Sequence, residues 1–122
     1  MFINIRKLIK SFKVAFSGLW FAIKSEDTFK TGAIIAVVVI FFLFYFPLTS
    51  SERAIIFLTI FSVLGMELIN TQVERTTNLI DRNHNPEIMI IKDLAAGAVL
   101  LIVIVAAIVA GFIFIPYIFG LK

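Results

Sequence analysis

The sequence of 122 residues predicts an all-α integral membrane protein, in which an amphipathic helix at the membrane interface precedes three transmembrane helices. Two observations predict this fold. Hydrophobic residues make up 61% of the chain, whereas a soluble domain has roughly 45–50%. The apolar residues are also gathered into three long runs with few charges, which is the pattern of membrane-spanning helices. Residues 1–122 are expected to form a single domain.

Composition excludes several kinds of chemistry. The chain has no cysteine, so disulfides, thiolate metal sites and a cysteine nucleophile are excluded. The net charge of +3 is modest, and no nucleic-acid partner is expected. The first residues are basic, but an amphipathic stretch without a small-residue cleavage site follows, so no signal peptide is expected.

Residues 1–29 are predicted to form the interfacial helix. Its apolar residues step by three or four positions, opposite a narrow basic stripe, and are Ile5, Ile9, Phe12, Phe16, Leu19 and Ile23. A basic amphipathic helix of this kind lies in the membrane interface. The simplest interpretation is a surface anchor, with Trp20 in the interface. Glu26 and Asp27, where this helix meets the first span, favour a second interpretation in which it contributes to an active site.

The three spans follow in order. The first covers 32–48 and ends near Tyr45 and Pro47. A short connection, with Ser50 or Ser51 as N-cap, predicts an antiparallel hairpin with a second helix over 52–80. That helix is longer than the bilayer core and is expected to extend into water. After a polar loop, Pro86 opens a helix that runs into the third span, 94–119.

The basic residues predict the orientation. One side of the membrane receives nine of them, namely Arg6, Lys7, Lys10, Lys13, Lys24, Lys30, Arg75, Arg82 and Lys92. The other side receives Arg53 and Lys122. The positive-inside rule therefore predicts that the amino terminus and the loop before the third span are cytoplasmic.

The second helix carries a polar face at its cytoplasmic end. Residues at helical spacing share this face, namely Glu67, Asn70, Thr71, Glu74 and Asn78. A carboxylate in a membrane helix costs roughly 2–3 kcal/mol on insertion scales, which makes it a functional hypothesis. Two carboxylates beside an amide suit Mg²⁺ shared with nucleotide phosphates, which Lys92 would help to neutralise. Phosphoryl transfer, a proton relay and hydrogen bonds between helices all remain open from these residues alone.

Two segments resemble a known family. The first is Glu67-Leu68-Ile69-Asn70-Thr71 with Glu74, and the second is Lys92-Asp93-Leu94-Ala95-Ala96-Gly97-Ala98-Val99-Leu100. Together they resemble the signature of the small prokaryotic diacylglycerol kinases, which include the undecaprenol kinases of Gram-positive bacteria. The resemblance extends to Ser11-Phe12-Lys13, Gly18, Glu26 and Phe29-Lys30.

The resemblance implies a homotrimer in the bacterial inner membrane, with its active sites between protomers. Such a protein uses ATP and Mg²⁺ to phosphorylate a lipid hydroxyl, here that of undecaprenol or diacylglycerol, with the prenol slightly favoured. The rival interpretations are a small transporter or proton-relay bundle, and a structural homologue that has lost catalysis.

The resemblance also implies residue roles. Glu67 is similar in position to the general base, and Asn70 to a partner that positions the site. Glu26 and Glu74 correspond to the residues that bind the magnesium ion of Mg²⁺–ATP. Lys92 and Asp93 correspond to a nucleotide-phosphate contact and its orienting acid, and Lys10 and Lys13 are weaker matches for nucleotide contacts.

Several positions depart from the family pattern, and two of them lie on the second helix. Gln72 stands where a small residue is usual, and Asn78 stands where an aspartate is usual. The second change bears on nucleotide affinity rather than on the base. His84 and the Asp81–Arg82 pair are expected to be solvated loop residues.

Overall fold

The computed structural model describes residues 3–122, which form four helices: α1 (Ile5–Ser25), α2 (Asp27–Tyr45), α3 (Ser50–Ile80) and α4 (Pro86–Ile118). Helices α2, α3 and α4 are long and apolar enough to cross a membrane. The predicted all-α fold with three candidate spans is therefore confirmed. Residues 1 and 2, which the predicted first helix included, lie outside the described residues.

The predicted helix over 1–29 is wrong at its carboxyl end, because the chain breaks at Glu26. This residue is extended (φ −109°, ψ 108°), and its N–H donates to the carbonyl of Ala22, which closes α1. Asp27 then begins α2, where the positive end of the helix dipole stabilises its negative charge. The run Ser25-Glu26-Asp27 has the residue types of a helix start, although neither proline nor glycine marks it.

The first span ends earlier than predicted, at Tyr45 instead of position 48. Pro47 disfavours helical backbone at the residue before it, and Phe46 is accordingly extended (ψ 148°). The next helix also begins before position 52. Thr49, rather than Ser50 or Ser51, is the N-cap, since its side chain and that of Glu52 form a reciprocal capping box.

Arg53 fastens the α2–α3 hairpin. Its Nε donates to the carbonyl oxygen of Leu43 at 3.0 Å, and its Nη2 donates to that of Phe46 at 3.4 Å. The Phe46 carbonyl also accepts from the N–H of Leu48 at 2.9 Å, whereas Pro47 offers no N–H to the carbonyl of Leu43. Arg53 thus satisfies a backbone group at Leu43 that a lipid environment would leave unpaired.

Helix α3 runs antiparallel to α2 and to α4, and it packs most extensively against α4. A cluster at the hairpin end holds Leu43, Leu48, Ile56 and Ile113. At the opposite end of α2, a Cβ on Gly32 would lie 3.2 Å from Leu64 Cδ2, so the absence of a side chain permits close packing on α3. Few other apolar side chains are buried, which leaves wide apolar faces for lipid or for other chains.

Replacing Arg53 with Met should destabilise the fold by about 1–3 kcal/mol, because the Leu43 carbonyl loses its donor while the aliphatic stem is kept. The measurement is reversible unfolding in detergent micelles. Arg6→Met is the control, since Arg6 is exposed on α1 and should tolerate the same change. Equal stability of the two variants would contradict the proposed role of Arg53.

Candidate active site

A polar cleft lies where the α1–α2 junction meets the last turns of α3. Its volume is about 510 Å³, and it is lined by Glu26, Thr71, Glu74, Arg75, Asn78, Leu79 and Arg82. The α3 members recur at intervals of three or four residues, so a single helical face lines one wall. The cleft therefore joins Glu26 with an acid that follows it by 48 positions in sequence.

Glu26 enters the cleft because of the break between α1 and α2. Its Oε1 accepts two hydrogen bonds from Arg75, at 2.9 Å from Nε and at 2.6 Å from Nη2. The Arg75 guanidinium also lies 4.8 Å from the centre of the Phe21 ring. These contacts tie the α1–α2 junction to α3 and hold Glu26 on the same side as Glu74.

Asn70 lies one turn below Glu74 on α3 and reaches it only loosely. Its Nδ2 stands 3.5 Å from Glu74 Oε1, at the limit of a hydrogen bond. Asn70 Oδ1 is buried and has no hydrogen-bond partner among residues 3–122. A buried acceptor without a partner is costly in a finished site, so this oxygen suits a group that arrives with the substrates.

Lys92 reaches the edge of the cleft from α4. Its Nζ donates to Asn78 Oδ1 at 2.6 Å, across the antiparallel α3–α4 pair. Since Asn78 is neutral, this contact orients the ammonium group without neutralising it. Asn78, a predicted departure from the family pattern, is therefore the residue that holds a predicted phosphate contact.

Other predicted site residues lie apart from the cleft. Glu67 is half-buried on α3, two turns below Glu74, and does not line the cleft. Asp93 borders a separate groove along α4 with Leu94 and Gly97. Lys10 and Lys13 are exposed on α1. The functional roles predicted for these four residues stay predictions.

Sequence reasoning missed two cationic residues of the cleft. The sequence predicts Arg75 only as a cytoplasmic charge and Arg82 as a solvated loop residue. Arg82 is indeed exposed in the loop after α3, but it also lines the cleft, while Asp81 Oδ1 accepts from the N–H of Asn83 at 2.8 Å. The spacing of Thr71, Arg75, Asn78 and Arg82, by four, three and four residues, could have revealed them.

The carboxylates fit magnesium only as a shared ligand. Glu26 and Glu74 both line the cleft, but residues 3–122 contain no group of three or more acidic, histidine or cysteine side chains suited to a metal. Magnesium is commonly held by one or two carboxylates together with substrate phosphates and waters, rather than by an all-protein cage. The two carboxylates therefore fit an ion that enters with a phosphate compound.

The family assignment is decided by sequence comparison. The sequence model of the family described as "Prokaryotic diacylglycerol kinase" matches residues 13–114, which reach from α1 to the last turns of α4. This chain belongs to the prokaryotic diacylglycerol kinase family. The predicted resemblance is thereby confirmed.

Two curated relatives of this diacylglycerol kinase family member are informative. The "Undecaprenol kinase" of Bacillus subtilis is 36% identical over 113 residues, which cover 93% of this chain and 92% of that relative. The "Diacylglycerol kinase" of Synechocystis sp. is 34% identical over 110 residues, which cover 89% of this chain and 63% of that relative.

The contact between Glu26 and Arg75 predicts that this cleft forms within one chain, whereas the expectation of active sites between protomers stays a prediction. Cysteines introduced at both positions should be bridged by a short bifunctional thiol reagent, and mass spectrometry should find the bridge within a monomer. The natural sequence contains no cysteine to interfere.

The control pair places cysteines at positions 6 and 26, which α1 separates by about 30 Å. This pair should remain unbridged. Bridged dimers without bridged monomers, or equal bridging of both pairs, would contradict the cleft geometry.

Proposed function

We propose that this protein is an integral membrane lipid kinase, which transfers the γ-phosphoryl group of ATP to the hydroxyl group of a membrane lipid. The observation that carries the proposal is the cleft in which Glu26 and Glu74 face a common space at the end of α3. In a chain of the prokaryotic diacylglycerol kinase family, this is a suitable site for a nucleotide with its magnesium ion.

Glu26 and Glu74 would hold magnesium through carboxylate oxygens. When it is bound with ATP, the ion would neutralise phosphate charge and orient the phosphoryl group. Asn70 borders Glu74, and its unpartnered oxygen would accept a hydrogen bond from a donor group of a substrate. Lys92, oriented by Asn78, would contact the phosphates, and in this proposal Asp93, Lys10 and Lys13 complete the nucleotide site.

Glu67 is the proposed general base. It lies seven residues before Glu74, so it is about 10 Å nearer the apolar part of α3. A lipid hydroxyl approaches from the membrane, whereas a nucleotide approaches from water, and Glu67 stands on the membrane side. Glu67 would take the proton of the lipid hydroxyl as the hydroxyl oxygen bonds to the γ-phosphorus. The bond from that phosphorus to the β–γ bridging oxygen would break, ADP would leave, and Glu74 would remain with the metal.

The distribution of charge favours this function over a proton relay. No acidic or basic residue occurs in 31–51 or in 94–121, and α3 has none between Arg53 and Glu67. A relay across the membrane would need ionisable groups along its depth. The acids instead cluster at one end of α3, which suits chemistry at one membrane surface.

The remaining parts of the proposal concern substrate and setting. Similarity over 92% of a relative named undecaprenol kinase favours a prenol alcohol over diacylglycerol. We propose the bacterial cytoplasmic membrane as the location, with the cleft cytoplasmic, because nine basic residues lie on that side. We also propose a homotrimer, in which the exposed apolar faces of the helices pack against other copies.

Purified protein with labelled ATP and Mg²⁺ should label undecaprenol more rapidly than diacylglycerol, and removing Mg²⁺ with EDTA should abolish transfer. Glu67→Gln should lower the rate by roughly 10²–10⁴-fold, the usual contribution of a general base. The measurement is the initial rate of formation of labelled lipid.

Glu87→Gln is the matched control, because Glu87 is an exposed acid at the start of α4, outside the cleft. Folded wild-type protein that labels neither lipid would refute the lipid kinase. A Glu67→Gln variant with the wild-type rate would refute the base assignment alone.

A further inference from the structure

Arg75 has a contact that the proposed kinase reaction does not explain. It neighbours Glu74 on α3, and both of its hydrogen bonds to Glu26 converge on a single carboxylate oxygen. The guanidinium therefore does not form the parallel two-oxygen pair that its fork favours. The side chain of Arg75 is 57% exposed while that of Glu26 is 21% exposed, so Arg75 has access to the open cleft.

This contact conflicts with the proposed metal role of Glu26. A guanidinium 2.6 Å from Oε1 neutralises the carboxylate and would repel a divalent cation bound to the same group. Magnesium binding to Glu26 thus requires that Arg75 move away or find an anion that compensates for its charge.

A nucleotide phosphate would provide that anion. Two phosphate oxygens match the planar fork of arginine better than the single carboxylate oxygen that Arg75 now contacts. Arg82 lines the same cleft, and within residues 3–122 no carboxylate lies within ion-pair distance of it. The cleft therefore holds two acids for a metal and two arginines for phosphate, in equal number.

We propose that Arg75 is a nucleotide-phosphate ligand that Glu26 holds until magnesium and nucleotide enter together. This inference rests on the proposed function. When both enter, Glu26 loses its hydrogen bonds to Arg75 and binds the metal. The guanidinium of Arg75 then binds the phosphate oxygens. Either ligand alone has to break the Glu26–Arg75 pair without the compensation that the other provides, so metal and nucleotide bind cooperatively.

Calorimetry on the full chain in micelles tests this with three probes: Mn²⁺ alone, the ATP analogue AMP-PNP in EDTA, and AMP-PNP with Mg²⁺. Arg75→Gln should bind Mg²⁺–AMP-PNP about tenfold more weakly, the loss expected for one charge-assisted contact. The same variant should bind Mn²⁺ alone several-fold more tightly, because Glu26 is released.

Glu26→Gln should show the converse. It should bind AMP-PNP in EDTA more tightly than wild type, because Arg75 is released, and Mn²⁺ more weakly. Arg75→Lys keeps the charge but not the fork and should fall between wild type and Arg75→Gln. Arg6→Gln, the same charge change at an exposed site on α1, should match wild type with all three probes.

The outcomes separate this inference from the function on which it rests. If Arg75 only fastens the α1–α2 junction to α3, Arg75→Gln will weaken Mn²⁺ and Mg²⁺–AMP-PNP alike or leave both unchanged, and either result overturns the inference while the kinase stands. Wild-type protein that binds no Mg²⁺–AMP-PNP would overturn both.

Discussion

The length of α3 is the constraint on which the other features depend. Its 31 residues span about 46 Å, whereas the hydrocarbon core of a bilayer is about 30 Å thick. If α3 enters the core near Arg53, the core covers about 20 of its residues, so only the turns from about Glu74 onward extend into water at little cost. Glu67 then lies just inside the membrane boundary. The α1–α2 junction packs beside this extension, and α4 returns along it, which brings Glu26 and Lys92 to the same end as Glu74.

The cleft at that end is balanced in charge before any ligand binds. Arg75 neutralises Glu26, and the neutral amide of Asn78 orients Lys92 without removing its charge. An acidic site at a membrane surface would otherwise keep two carboxylates close together, at a cost in repulsion. Under the proposed function, the same balance would suit a metal and a polyphosphate that bind as a pair, since their opposite charges match both sets of side chains.

The helices could be predicted from sequence because long apolar runs and proline positions determine them locally. Their ends were predicted less well: neither proline nor glycine marks the break at Glu26, and the Thr49–Glu52 capping box, although a local signal, begins earlier than the predicted caps. Helical spacing and family resemblance identified the acids of the site. The pairing of Glu26 with Arg75 joins positions 49 residues apart, so no local pattern could indicate it.

In the proposed site, Glu26 and Glu74 bind one metal ion together with a nucleotide. Electron paramagnetic resonance of Mn²⁺ bound with AMP-PNP tests it most directly, since phosphorus hyperfine coupling reports phosphate oxygens on the metal. We predict this coupling in wild-type protein and in Glu87→Gln, and its loss in both Glu26→Gln and Glu74→Gln. Unchanged coupled Mn²⁺ in either cleft variant would contradict a site shared by the two glutamates.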